Sequence, residues 1–418
     1  MRICLFEDHG AVDLEPLTLT RPAFDLLCGL TPLSAKQARY FAPCTVGTLV
    51  RPFLSELQRQ RRDDIPVNDG DWLRQGPVVL VNGRWLPPDG PRPEWMQSCV
   101  GNAFVSPRQL GDLGPATIDE CLDEWKQTLP RLEASGAMIA RPWDLVDRNA
   151  NEIVRDFAAR GEKGANKRPM DFSLVGPAGR LAIDPSARID PLVVADTTNG
   201  PVVIDRDAVI AAFTRLEGPC YVGPGTHVLG AKIRAGTTLG PCCRVGGEVE
   251  ASLIHGFSNK YHDGFLGHSY VGEWVNIGAG AQTSDLRHDY GEVILTQGGL
   301  RVASGSSKVG SFIGDHTKIG IGSLLNTGTN LGAFTGVLPA GRLLPRYVPS
   351  FCTVSHGVVA ENEDPEMLFA TAQEVMRRRG VALGEAHLEV YRAVFEQTAP
   401  HRQDALRESD RPRMRRSA

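Results

Sequence analysis

The sequence predicts an α/β domain, then an all-β parallel β-helix built from hexapeptide repeats, then short C-terminal α-helices. Aliphatic residues recur at every sixth position through much of the second half, a period that fits neither an amphipathic helix nor a flat strand. The first 170 residues instead mix short buried-strand signals with helical spacing. Glycine is abundant, 45 of 418 residues, while aromatic residues make up only 7%, a balance that suits many tight turns.

The length of 418 residues suggests two or three domains, and 42% apolar with 22% charged residues excludes wholesale disorder. The net charge of −4 gives no general reason to expect a nucleic-acid partner. The only apolar run near the start, residues 3–6, is far too short for a signal-peptide core. No run approaches the ~18 residues that a membrane span needs. The nine cysteines lack CxxC spacing, so neither a disulfide framework nor a zinc ribbon is expected, and a reducing cytoplasm fits best.

Taken in order, residues 1–170 form the α/β domain. Residues 3–6 and 77–81 read as buried strands, the second ending at Asn82-Gly83. Residues 144–157 offer a helix with Leu145, Val146, Ile153, Val154 and Phe157 on one side, and the stretch 161–168 reads as a linker.

The β-helix is expected over 180–355. Its clearest beat is Ile313, Ile319, Leu325, Leu331 and Val337, with Thr317, Ser323, Thr329 and Thr335 four positions after the first four. Earlier come Val222 and Val228, then Ile233, Leu239 and Val245, and later Phe265, Val271 and Ile277. Three hexads close one triangular coil of about 18 residues, and stacked coils bury an aliphatic column. Adjacent Cys242-Cys243 suit such a rung. The beat breaks between Val245 and Phe265 and between Ser284 and Lys308; loops leaving a solenoid often carry function, so chemistry is expected there.

Asp364-Pro365-Glu366 starts the C-terminal helices, 364–400, with helical spacing at Leu368, Ala372, Val375 and Met376, then at Leu388, Tyr391, Val394 and Phe395. They are expected to cap the solenoid end or a neighbouring subunit. Residues 401–418 hold six arginines against three acids, net +3, and read as a basic, solvated, mobile tail; an RNA, membrane or partner contact is the alternative.

Four of the ten histidines, 255, 262, 268 and 288, lie in 250–290. A metal site is disfavoured, because residues six or seven apart point from successive faces of a coil. The other chemistry is general-base catalysis by one imidazole, whose unperturbed pKa is about 6.5. His262-Asp263 on a projecting loop, with Lys260 and Asn276 nearby, supplies a base and polar anchors; a plain surface loop histidine is the competing reading.

The segment SNKYHDGFLGHSYVGEWVNIGAG resembles the acetyltransferase domain of the bifunctional N-acetylglucosamine-1-phosphate uridyltransferase/glucosamine-1-phosphate acetyltransferase family. The resemblance covers about 216–340. Further elements, Pro16-Leu17-Thr18-Leu19-Thr20-Arg21-Pro22, Val81-Asn82-Gly83-Arg84 and Pro142-Trp143-Asp144, resemble a divergent branch with a compact nucleotidyltransferase-like N-terminal domain. The resemblance implies a left-handed β-helix and a homotrimer with active sites between subunits. It implies His262 as the catalytic base that deprotonates a sugar amine before attack on acetyl-CoA. Arg234 falls on the arginine that holds the sugar phosphate, and Asn276 on a substrate-binding asparagine. Lys260 and Asp285 complete the expected substrate set. The implied function is acetyl transfer to an amino-sugar phosphate in nucleotide-sugar synthesis.

Three departures bear on the acceptor. Glu250 stands for a phosphate-binding lysine, Phe265 for a tyrosine, and Asp285-Leu286 for an asparagine–tyrosine pair. In the N-terminal domain Glu7-Asp8-His9-Gly10-Ala11 replaces a glycine-rich nucleotide turn, Ala23-Phe24 replaces a lysine, and Asn82-Gly83-Arg84 replaces a metal-binding aspartate. Arg21 and Asn82 are the nucleotide-binding candidates, with Glu7, Asp8 and Asp13 as carboxylates for Mg2+ if this domain is active. Nucleotidyl transfer as the main activity, or a non-catalytic regulator, are the other readings.

Overall fold

In the computed structural model, residues 1–91, 113–129, 135–161, 172–339 and 341–410 are described. The expected linker therefore lies, from residue 162, outside the described residues, as does the tail from residue 411.

Residues 173–354 wind through about ten turns of a parallel β-helix. On its first face Ile204, Val222, Leu239, Ile254, Val271, Ile313, Leu331 and Val348 stack in successive register. The second face stacks Ile189, Ile210, Val228, Val245 and Lys260, and further on Ile277, Ile319, Val337 and Val354. The third stacks Ala195, Leu216, Ile233, Val249 and Leu266. Each Val, Leu or Ile so removed from water contributes about 1.5–3 kcal/mol, enough to set the register of every coil.

Two sequence expectations change here. Phe265 is not in the aliphatic column: Leu266 is, in register with Val249, and strand alternation turns Phe265 outward. The gap between Val245 and Phe265 holds no long insertion, because the coil passes through Val249, Ile254 and Lys260 and leaves only a short corner at 261–264. The second break does hold one. There the antiparallel strands Ile294–Gln297 and Leu300–Ala303 form a hairpin, and Val293 and Leu295 pack with Leu14, Leu17 and Trp143 of the N-terminal domain.

Corners between the first and second faces carry an aromatic ladder. Phe257 stacks on Trp274 (4.3 Å), Trp274 on His316 (6.2 Å), His316 on Phe334 (4.7 Å) and Phe334 on Phe351 (4.9 Å). All five have φ between 53° and 61°, a left-handed conformation costing roughly 1–2 kcal/mol per non-glycine residue. Stacking at ~0.5–1.5 kcal/mol per pair, added to burial, offsets that cost.

The C-terminal helices Pro365–Arg377 and Glu385–Gln397 close over this ladder, with Tyr391 Oη 2.8 Å from His316 Nε2. Asp364 caps the first by accepting from the Glu366 N–H. A third helix, Ala399–Asp410, occupies residues expected to begin the mobile tail. Arg402 accounts for the difference: it is buried, bonds Thr398 Oγ1 (2.8 Å) and Glu361 Oε1 (2.5 Å), and lies over the Phe395 ring.

The N-terminal domain holds a three-stranded parallel sheet in the order Thr45–Leu49, Arg2–Phe6, Val79–Asn82. The helix Pro142–Arg160 joins it to the first face of the solenoid. Within the seam Asn149 Oδ1 accepts from the Gly29 N–H (2.7 Å), while its Nδ2 donates to the Gly236 carbonyl (2.8 Å) and Thr238 Oγ1 (3.0 Å). Among the described residues, no helix is long and apolar enough to cross a membrane.

Candidate active site

With the first face and its aromatic corner covered, the third face and the corner leading into it remain open among the described residues. His262 stands on that corner, exposed, its imidazole without a hydrogen-bond partner among the described residues and 5.0 Å from the Tyr261 ring. The corner is a ridge of outward apolar side chains: Leu192 (58% exposed), Phe213 (76%), Tyr261 (48%) and Ile321 (70%).

Lys260 explains how this corner is held. It occupies an inward position beside Val245, where the other described coils of the second face place an aliphatic residue. Its Nζ donates to the carbonyls of Gly246 (2.8 Å), His262 (3.1 Å) and Gly264 (2.9 Å). Burial pushes its pKa down to about 8. The residue expected to bind substrate is thus enclosed beneath the loop that presents His262.

On the third face Arg234 lies among carboxylates: Glu248 at 3.2 Å, Glu217 at 3.7 Å and Glu250 at 4.0 Å. Glu250 also takes Lys308 Nζ at 3.5 Å. Asp285 is committed to His268, whose Nδ1 lies 2.8 Å from its Oδ2. Asn276 sits on the second face, its Oδ1 3.4 Å from Asn259 Nδ2. One chain therefore distributes the expected set over two faces, with His262 at the corner between them. Glu217, Glu248, His268 and Lys308 are not expected as partners from the sequence, although coil stacking carried a signal: residues 217, 234 and 250, and residues 268 and 285, are separated by 16 or 17 positions.

The N-terminal candidates are also engaged. Arg21 is 2% exposed, ion-paired with Asp315 and with Glu273 (3.3 Å) of the solenoid, so it is a seam residue that no nucleotide reaches. Burial opposes ionisation of Glu273, but Arg21 and His255 outweigh it and hold the carboxyl well below its usual range. Asn82 Nδ2 donates to Asp8 Oδ2 (2.8 Å), and Arg84 forks onto both Asp8 oxygens (2.9 and 2.7 Å). A Cβ on Gly10 would meet the Arg84 guanidinium, so that side chain packs directly against the Gly10 backbone. Glu7 accepts from Arg51 and the Ala23 N–H, and Asp13 from Arg141. All three carboxylates considered for Mg2+ are arginine-paired, and this set does not fit a hard divalent cation.

A cavity of about 490 Å³ in the same domain shares no residue with the His262 corner; its Lys36 is paired with Glu152 (3.0 Å) and Asp156.

Residues 3–163 match the family model described as sugar nucleotidyl transferase. A relative named bifunctional sugar-1-phosphate nucleotidylyltransferase/acetyltransferase, from Sulfurisphaera tokodaii, is 36% identical over 148 residues, 34% of this chain and 36% of that protein. The bifunctional protein GlmU of Heliobacterium modesticaldum is 30% identical over 159 residues, 37% of this chain and 33% of its own. The GlmU of Synechococcus elongatus is 27% identical over 170 residues, 40% and 31% respectively. The matches span about a third of each of these relatives. Together with the β-helix, they support the bifunctional nucleotidyltransferase/acetyltransferase family as the one this chain resembles.

Proposed function

We propose that the chain is an acetyl-CoA-dependent N-acetyltransferase acting on an amino sugar, with His262 as its base. One observation carries the reading: an unpartnered imidazole, presented on a corner fixed by a buried lysine, at the edge of the open face. The amine nitrogen attacks the thioester carbonyl, the C–S bond breaks, coenzyme A leaves, and His262 takes the amine's proton. The apolar ridge beside His262 favours a homotrimer in which a neighbour's surface closes this open corner, so each site is completed by a second chain. The acceptor class, an amino-sugar phosphate of nucleotide-sugar synthesis in a cytoplasmic setting, rests on the resemblance of the segment around His262; the relative from Sulfurisphaera tokodaii is named for a sugar-1-phosphate and for acetyl transfer.

Nucleotidyl transfer as the main activity has less support here, because Arg84 packs against Gly10 and the candidate carboxylates hold arginines. The domain acts in this reading as a cover for the first face. The test is incubation with acetyl-CoA and a panel of amino sugars and their phosphates, with products read by mass spectrometry. An N-acetylated sugar is expected. Pyrophosphate release from a nucleotide and a sugar phosphate, with no acetylated product across the panel, would overturn the assignment.

A further inference from the structure

Outward positions on the second face stack rung upon rung as Arg188, Val209, His227, Arg244, Asn259 and Asn276. Arg379, just past the helix Pro365–Arg377, reaches onto this row and donates to Asn259 Oδ1 (2.7 Å) and the Cys242 carbonyl (3.1 Å). Among the described residues Arg244 donates only to the carbonyls of Gly225 (3.1 Å) and Cys243 (3.0 Å). The charged neighbour acting on Arg244 is Arg379, and those acting on His227 are Arg244, Arg188 and Arg379. Among the described residues neither Arg244 nor Arg379 has a carboxylate within ion-pair distance, whereas Arg188 has Asp190 at 3.8 Å. Burial first, and then these like charges, lower the pKa of both Arg244 and His227. Arg234 on the third face has the opposite surroundings, with three carboxylates within 4.0 Å. Arg244 and Arg379, on the second face, thus lack the counter-charge that Arg234 has.

We propose that Arg244 and Arg379, with His227 and the Asn276 side-chain amide, form an anion site that holds a phosphoryl group of a substrate. Two guanidinium groups supply planar forks suited to phosphate oxygens. Asn276, exposed and using its Oδ1 toward Asn259, keeps its Nδ2 as a donor. The site adjoins the proposed base: Asn259, in register with Arg244, precedes Lys260, whose Nζ donates to the His262 carbonyl (3.1 Å). Its link to catalysis rests on the acetyltransferase reading; its existence as an anion site does not. The phosphoryl group belongs either to the acceptor sugar or to coenzyme A.

The test is calorimetric titration of the full chain with coenzyme A and, separately, with glucosamine 1-phosphate. Wild type is compared with Arg244→Gln, Arg379→Gln and the double variant, with Arg301→Gln on the distant hairpin as a control for net charge. Losing a hydrogen bond to a charged group predicts about tenfold weaker binding for each single variant, more for the double variant, and no change for Arg301→Gln. Loss confined to coenzyme A assigns the site to the cosubstrate, and loss confined to glucosamine 1-phosphate assigns it to the acceptor. Arg379→Gln, on a turn outside the solenoid, gives the answer if Arg244→Gln does not fold. Wild-type affinity for both ligands in a folded Arg379→Gln variant would overturn the proposal, as would equal weakening by Arg301→Gln or no binding of either ligand by wild type. Acetyl transfer lost by His262→Ala with binding intact bears on the base alone.

Discussion

Replacing Lys260 with methionine separates what the buried lysine does for stability from what it does for the loop. Burial lowers its pKa from 10.5 to about 8 in the folded chain, a penalty on the charged form of about 3 kcal/mol. The unfolded chain keeps this proton up to about pH 10.5 and the folded chain releases it near 8, so between those values the unfolded state binds more protons. Stability of the wild type therefore gains about 3 kcal/mol from this group as pH rises from 8 to 10.5, and the penalty is fully present below 8. Lys260→Met removes that contribution. Lys318, which burial also lowers to about 8, is present in both proteins and cancels in the comparison.

At pH 7 the methionine fills the aliphatic column and recovers about 3 kcal/mol, but it strips the donor from the carbonyls of Gly246, His262 and Gly264. An unmet buried acceptor costs about 1–3 kcal/mol, and the loop carbonyls regain water as the corner loosens. The net change in stability is then about 0 to +2 kcal/mol, with faster amide exchange at residues 261–264. Urea unfolding at several pH values, together with hydrogen exchange, measures both. A variant that loses more than about 2 kcal/mol at pH 7, keeps the wild-type dependence on pH, and shows unchanged exchange would refute this account of the lysine.

Leu266→Ala should cost about 2–5 kcal/mol, because it opens the third-face column, whereas Phe265→Ala should cost less than about 1 kcal/mol; urea denaturation of the pair tests which residue points inward. Asp315→Ala leaves the buried Arg21 with Glu273 alone and takes the acceptor from Thr20 Oγ1 and the Glu273 N–H, and should cost about 3–5 kcal/mol by the same assay. Glu273, held below its usual range chiefly by Arg21 against the effect of burial, contributes stability that is present above about pH 4.5 and lost as the pH falls. Arg21→Met should therefore begin acid unfolding at a higher pH than wild type, followed by circular dichroism.

The aliphatic hexads were legible because period six survives wherever a coil has regular corners, as from Ile313 to Val337. Around Val249 and Leu266 the corners shorten or lengthen by a residue, so the beat slipped and Phe265 was counted in place of its neighbour. Lys260 hid in plain view: a lysine at an aliphatic position reads as a break until its three carbonyl partners are seen. His262 was legible as a loop imidazole, and Arg234 as an outward cation. The carboxylates around Arg234 were not, since outward charges on successive coils meet only through the stacking register. Arg379 was further out of reach, because its neighbours on the second face lie more than a hundred positions away in sequence. Arg402 was assigned to a mobile tail on composition, while its burial depends on Glu361 and Phe395 from elements folded beneath it.

Thiol release from acetyl-CoA by wild type and by His262→Ala, with the best acceptor from the amino-sugar panel and with oligomeric state checked for both, tests the central claim most directly. Loss of a general base predicts a fall of about 10²–10⁴-fold in kcat with acetyl-CoA binding unchanged. Equal turnover by the two proteins would mean that the imidazole on this corner does not take the amine's proton.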